Sequence, residues 1–321
     1  MHAAGCERTP AGRFSMRDRG VRACSHALPG VWLGKMRQDR AEILRLVWPS
    51  TREVWEVGVL YEDECLMAVD KPAGLLSSPD RYDPDRPNLM KLLHVGIAEG
   101  AGWAASRGIT YLFNAHRLDL ETSGILLLAK SKPALIHLAD QFGGVHPRKR
   151  YVALVTGEWG ATAEVEVEAP LAPHPHRPGV VRVDPKGGRP SQTRFRVQER
   201  FRGYSLLSCE PVTGRTHQLR VHARHLGFPM VGDLTYGGKP LLLSRLKPGY
   251  RLKPGHRERP LIGRVALHAE CLEVTHPVSG GRVVIESPWP KDLRVAIRYL
   301  SQFVPVTGPA VPQESPPGPT P

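Results

Sequence analysis

Residues 116–130 read HRLDLETSGILLLAK, and this stretch decides the fold. Its second half, residues 125–129, is a continuous apolar run of strand length, the pattern of a strand buried on both faces. Its first half is polar. Thr122 and Ser123 turn a chain by bonding their own backbone, and Gly124 permits a conformation that other residues resist. Arg117, Asp119, Thr122 and Ser123 therefore stand at the mouth of a buried strand, where loops on a rigid scaffold carry function. On these residues alone, an Arg117–Asp119 pair in an ordinary surface turn accounts for the segment slightly better. A protein-kinase catalytic loop does not: Leu118 interrupts His-Arg-Asp, Gly124 stands where asparagine is required, and no GxGxxG or Asp-Phe-Gly occurs.

Working outward, Val59-Leu60-Tyr61 and Leu66-Met67-Ala68-Val69 read as strands joined across Glu62-Asp63-Glu64. Lys71-Pro72-Ala73-Gly74 closes the second as a turn. Residues 88–99 have helical spacing with Asn88 as cap, and Ser131 followed by Pro133 opens another helix. Residues 151–155 and 163–168 alternate at period two. Further strands are expected at 193–197, 204–209, 267–274 and 282–286, with helices at 215–226 and 291–303. Strands outnumber helices and most links are too short for repeated parallel crossovers, so the expected class is α+β on a mixed, largely antiparallel sheet with flanking helices and loops. The expected organisation is a basic, poorly ordered extension over 1–56, one domain over 57–303 and a Pro-rich tail over 304–321.

The composition, 41% hydrophobic and 23% charged, is that of a soluble globular protein, and no apolar run approaches the roughly 20 residues of a membrane span. No secretory signal is evident. Five scattered cysteines (Cys6, Cys24, Cys65, Cys209, Cys271) without CxxC spacing argue against a disulfide framework or structural zinc and fit a cytoplasmic protein. The formal net charge of +13 is concentrated: residues 1–52 carry a net +6 and residues 239–264 a net +7. Two basic segments on a charge-balanced body suit a polyanionic partner, although solubilising charge on loose segments gives the same pattern.

Five blocks in order resemble the RluA-type RNA pseudouridine synthases. They are HRLDLETSGILLLAK itself, LYEDECLMAVDKPAGLL (60–76), RKRYVALVTG (148–157), TGRTHQLRVHARHLGFPMVGDLTYG (213–237) and LHAECLEVTHP (267–277), together spanning about 57–287. The resemblance implies the pseudouridine synthase catalytic fold and isomerisation of uridine in ribosomal or transfer RNA, with no cofactor and no metal. Asp119 then takes the role of the catalytic carboxylate, either attacking the anomeric carbon or removing a ribose proton. Arg220 is its expected partner, Tyr151 the wall against the base, and Arg117 the residue filling the space of a flipped uridine. His116, Thr122, Arg215 and His217 are placed with RNA binding. The family often carries a small ribosomal-protein-type RNA-binding domain, which residues 1–56 do not resemble, and a monomer without an obligate protein partner is expected.

Residues 239–264 are expected to form a basic loop whose deletion weakens RNA binding and spares the fold. His174-Pro175-His176 reads as a loop rather than a metal site, and His217, His222 and His225 read as structural with respect to metal. Two other classes compete: a catalytically silent RNA-binding or chaperone protein on the same fold, and a metal-dependent nucleic-acid hydrolase. Retention of Asp119, Tyr151 and Arg220 counts against the first, and the absence of a convincing ligand set counts against the second.

Overall fold

The computed structural model describes residues 42–306 except 81, 82, 84, 145, 146, 162 and 254. The expected extension before residue 42 and the tail beyond 306 lie outside the described residues. In chain order the strands are β1 (Ile43–Val47), β2 (Val54–Glu62), β3 (Leu66–Lys71), β4 (Phe113–Asn114), β5 (Ser123–Ala129), β6 (Arg148–Thr156), β7 (Val165–Glu168), β8 (Leu171–Pro173), β9 (Val181–Val183), β10 (Gln192–Phe201), β11 (Tyr204–Pro211), β12 (Leu267–Thr275) and β13 (Arg282–Glu286). The helices are α1 (Leu89–Ala98), α2 (Gly102–Ala105), α3 (Lys132–Gly143), α4 (Gln218–His225) and α5 (Lys291–Phe303). The α+β class is observed.

One mixed sheet runs in the order β1-β2-β3-β5-β12-β6-β11-β10-β7, with β4 on β5 and β13 on β12. Every pairing in it is antiparallel except β5 with β12. That parallel seam is two residue pairs long, His268 with Ser123 and Ala269 with Gly124. It joins two halves that each have their own helices. Alternate residues of β5 serve opposite faces: Leu126 and Leu128 pack with Leu89, Leu92 and Leu93 of α1, while Ile125, Leu127 and Ala129 pack with Ala134 and Leu138 of α3. A strand covered on both sides needs apolar residues at every position, which is why this run does not alternate. In the other half, Ala153 and Val155 of β6 face Leu219 and Ala223 of α4, and Val152 and Leu154 face Leu293, Ala296 and Leu300 of α5. Asn88 accepts the Lys91 N–H at 2.9 Å and Ser131 the Ala134 N–H at 3.3 Å, so both expected caps start their helices.

Two boundaries differ from the sequence reading. The sheet begins well before residue 57, because Leu44, Leu46 and Trp48 are buried and β1 pairs along β2. The basic segment 239–264 is not a detachable loop. Leu241, Leu246 and Ile262 enter the core beside β6 and α5, Leu241 bridges to Ile262, and Arg264 turns inward to Asp292 at 2.8 Å. Only its middle is solvated, with Lys247, Arg251, Lys253 and Arg257 exposed. Deleting the whole segment would open the core, contrary to the fold-sparing expectation.

Gly124 sits at the seam with φ of +111°. A side chain there would overlap the Ala269 backbone. Gly124→Ala is expected to cost at least about 1–3 kcal/mol through backbone strain alone, with the clash added. A urea denaturation midpoint unchanged from wild type would contradict this account of the seam.

Candidate active site

The site lies on one side of the seam, in a cavity of about 570 Å³. Asp119 stands on the loop leading into β5, and that loop is pinned through its backbone. His116 accepts the Leu127 N–H on Nε2 at 3.1 Å. Ser77 donates its hydroxyl to the Leu118 carbonyl and accepts the Leu118 N–H, both at 3.0 Å. Gly74 N–H donates to the Leu120 carbonyl at 2.8 Å, the buried Lys71 ammonium reaches the same oxygen at 3.4 Å, and Thr122 N–H closes the turn onto the Asp119 carbonyl at 3.1 Å. Arg264 completes the set, reaching the Glu121 carbonyl at 3.3 Å. The carboxylate is therefore fixed by its neighbours and keeps its own oxygens available, a quarter exposed to the cavity.

Lys71 also donates to the Pro72 and Leu75 carbonyls at 2.8 Å. Burial pushes this ammonium down to about 7, while the Asp119 charge pulls the other way. The Lys-Pro-Ala-Gly turn is thus a clamp on the catalytic loop.

Arg220 reaches the site from α4. Its Nη1 lies 3.6 Å from Asp119 Oδ2, an ion pair longer than a hydrogen bond. Its tight partner is Asp233, which takes Nε at 2.7 Å and Nη2 at 2.9 Å in a bidentate pair. Burial works against the Arg220 charge, but Asp233 outweighs it and holds the guanidinium above its ordinary range. The ring of Tyr236 lies under the same guanidinium at 5.0 Å. Orientation of Arg220 therefore comes from Asp233 and Tyr236, and Asp119 receives the remaining nitrogen. The side chain is buried, where the spacing to Arg224 had suggested a solvated face as the alternative.

His217 has φ of +54°, a left-handed conformation that is strained for a non-glycine residue. Tyr236 accepts the Val181 N–H at 2.9 Å, so its own hydroxyl proton is free to go to His217 Nδ1 at 2.8 Å. The other ring nitrogen, Nε2, faces Asp119 Oδ2 at 4.0 Å. Burial lowers the His217 pKa, which keeps the ring neutral. The expected helix over 215–226 accordingly starts only at Gln218. The residues before it form a loop built on the Gln218 amide, whose oxygen accepts from Thr213 and from Arg215 N–H.

Tyr151 projects from β6 into the cavity. Burial, with the Asp119 charge beside it, raises its hydroxyl well above the ordinary range, so it stays a neutral phenol. All eight site residues expected from sequence, Asp119, Arg220, Tyr151, Arg117, His116, Thr122, Arg215 and His217, line this one cavity. Two of those placed with RNA binding also do framework work. His116 spends Nε2 on the β5 backbone, stacks on Phe142, and is pushed down to about 3 by burial, while Thr122 is buried in the turn. Arg117 and Arg215 are exposed at the rim. Asp233, Tyr236, Gln218 and the anchoring role of Lys71 went unread, because each acts through a partner distant in sequence.

His222 is structural as expected, bonded to Thr193 and to the Ala169 carbonyl. In the His174–His176 turn, the His176 N–H donates to His174 Nδ1 at 3.2 Å. Among the described residues, Asp63, Cys65 and His276 are the one group spaced to hold a metal. They lie outside the cavity, and the Asp63 oxygens already accept from Cys65 N, Leu66 N and Tyr61.

The loop-borne carboxylate, the buried arginine and the mixed sheet with a single parallel seam define a nucleotide-sized polar site. Comparison with known proteins places it. A family model described as RNA pseudouridylate synthase matches residues 66–225. A ribosomal large subunit pseudouridine synthase D of Xanthomonas campestris pv. campestris is 36% identical over 258 residues, covering 77% of this chain and 70% of its own. A ribosomal large subunit pseudouridine synthase C of Escherichia coli K12 is 35% identical, covering 75% and 69%. The structure of human RNA pseudouridylate synthase domain containing 1 superposes with a TM-score of 0.54 at 27% identity, covering 75% of this chain and 87% of that one. The chain belongs to the RNA pseudouridine synthase family, in its RluA-type branch, and is an isomerase of that kind.

Asp233→Asn removes one partner of a buried ion pair, a change that costs roughly 3–5 kcal/mol where the remaining charge is left unpaired. The variant is expected to unfold at clearly lower urea concentration and to lose activity more than tenfold even where it is fully folded. Wild-type turnover in the folded variant would show that Arg220 does not depend on Asp233.

Proposed function

We propose that this enzyme converts uridine to pseudouridine in large-subunit ribosomal RNA, with Asp119 as the carboxylate acting on the ribose of an extruded nucleotide. The observation that carries this is the pairing of Asp119 with Arg220 inside a cavity where Asp119 is the sole acidic residue and Arg117, Lys149 and Arg215 are further cations. A polyanion is drawn into such a cavity, and a carboxylate facing a guanidinium is the group either ribose chemistry requires. The names of the similar bacterial enzymes support the ribosomal substrate.

The reaction breaks the bond from N1 of uracil to the anomeric carbon and forms one from C5. A proton leaves C5 and N1 gains one, so atoms and electrons balance without an external reactant. Asp119 either attacks the anomeric carbon or removes a ribose proton, and Arg220 stands 3.6 Å from it as the facing cation. The neutral Tyr151 ring offers a face to the turned base. A paired uridine cannot enter a cavity of this size with its duplex, so it is flipped, and the exposed Arg117 takes its place in the stack. One chain supplies every one of these groups, which suits a monomer. No helix among the described residues is long and apolar enough to cross a membrane, and a ribosomal substrate is compatible with a cytoplasmic enzyme.

Pseudouridine mapping of large-subunit rRNA and tRNA from cells lacking the gene is expected to show loss at one or a few rRNA positions. Wild type should restore them and Asp119→Asn should not. Restoration by Asp119→Asn would overturn the role of the carboxylate, and loss confined to tRNA would overturn the substrate.

The exposed cations of the basic segment contribute affinity without sequence preference. Replacing Lys247, Arg251, Lys253 and Arg257 by glutamine is expected to weaken RNA binding roughly tenfold or more at low salt. The urea midpoint should not move, since the buried anchors Leu241, Leu246 and Ile262 are retained. Unchanged affinity in a filter-binding titration would remove this segment from the RNA surface.

A further inference from the structure

Three consecutive cations open β6, and they have different fates. Arg148 is exposed to solvent. Arg150 is bonded to Glu270 at 2.8 Å and lies 4.0 Å from Glu286. Lys149, on the opposite face of the strand from Arg150, turns into the active-site cavity with no hydrogen bond or ion pair to any described residue. Its ammonium lies 5.9 Å from the centre of the Phe142 ring. It stands beside Gly214, whose missing side chain leaves it uncovered on that side. Asp119, the one acid lining the cavity, is committed to Arg220. A largely desolvated ammonium without an anion is costly, so a protein that keeps one facing a ligand cavity gains from an anion that arrives with the ligand.

Position fixes which anion. Lys149 and Tyr151 are two residues apart on one strand and therefore point to the same face, about 7 Å apart. If Tyr151 faces the base, Lys149 stands one pleat further along, where the sugar-phosphate chain of that nucleotide leaves the cavity. We propose that Lys149 binds a phosphodiester oxygen of the RNA backbone adjacent to the target uridine, and so sets how deeply the flipped nucleotide enters. This rests on the pseudouridine reading of the cavity. Burial lowers the pKa of this lysine, and a bound phosphate would reverse that effect, which is the behaviour of a site completed by its ligand.

The test uses the full chain and a fluorescein-labelled RNA stem-loop with a single unpaired uridine. A second stem-loop carries neutral methylphosphonates at the two linkages flanking that uridine. Lys149→Met keeps the length of the side chain and removes the charge, and Lys149→Arg keeps the charge. Wild type is expected to lose about tenfold in affinity on the methylphosphonate RNA, and its logarithmic salt slope should fall by about one. Lys149→Met should show the weaker affinity and shallower slope already on normal RNA, with little further loss on the neutral one. Lys149→Arg should behave as wild type. Equal methylphosphonate penalties in wild type and Lys149→Met, or no penalty in either, would overturn the contact. Conversion is scored separately, on rRNA from cells lacking the gene. A wild-type protein that shows the slope difference and forms no pseudouridine would overturn the proposed reaction and leave the phosphate contact supported.

Discussion

The close approach of Gly124 to the backbone of Ala269 is the constraint on which the rest of this structure depends. Within the sheet, the β3–β5 half and the β12–β6 half share a parallel ladder of two residue pairs among the described residues. The seam is reinforced by one buried side-chain bond, Ser123 Oγ with His268 Nδ1 at 2.9 Å. After those two pairs the strands part, β5 taking β4 and β12 taking β13 as neighbours. Asp119 comes from the loop entering β5, Tyr151 from β6 beyond the seam, and Arg220 from the helix packed on β6. The chemistry is assembled across the join, so the geometry of the join is the geometry of the site.

Within the site, control is exercised at one remove. Asp119 is positioned by bonds to the backbone of residues on either side of it, and Arg220 by Asp233 and Tyr236. This leaves Asp119 and Arg220 facing each other at 3.6 Å, without the shorter contacts that would tie their oxygens and nitrogens to one another. A carboxylate locked into a bidentate pair has fewer lone pairs for a substrate. Here the bidentate pair is Arg220 with Asp233, and Asp119 keeps lone pairs open to the cavity.

Much of this was legible in the sequence, and the reasons are local ones. The unbroken apolar run over 125–129 announced two-sided burial, Asn88 and Ser131 announced their helices, and five ordered blocks brought Asp119, Tyr151 and Arg220 to attention together. What escaped notice acts through partners far along the chain. Asp233 sits in a Gly-flanked turn and becomes meaningful only when Arg220 is seen against it. Lys71 looked like turn punctuation until its ammonium was found on the Leu120 carbonyl. Lys149 lies in a basic triplet whose members look alike in sequence and differ only in which side of β6 they occupy. Residues 43–47 were masked by their surroundings: five residues of strand inside a net-basic stretch give too short an alternation to stand out, and the buried Trp48 belongs to the same strand end. In the segment 239–264 the count of charges drew attention from three aliphatic anchors that decide its packing.

The parallel seam also dictates an order of events during synthesis. Ser123 and His268 are separated by 145 residues, and the loop between them must be closed before the seam can form. Asp119, although made early, has no partner until α4 and the Asp233 turn have left the ribosome. Arg264 cannot brace the catalytic loop until Asp292 follows it. The nascent chain thus carries Asp119 through most of translation before the residues that complete its cavity have been made.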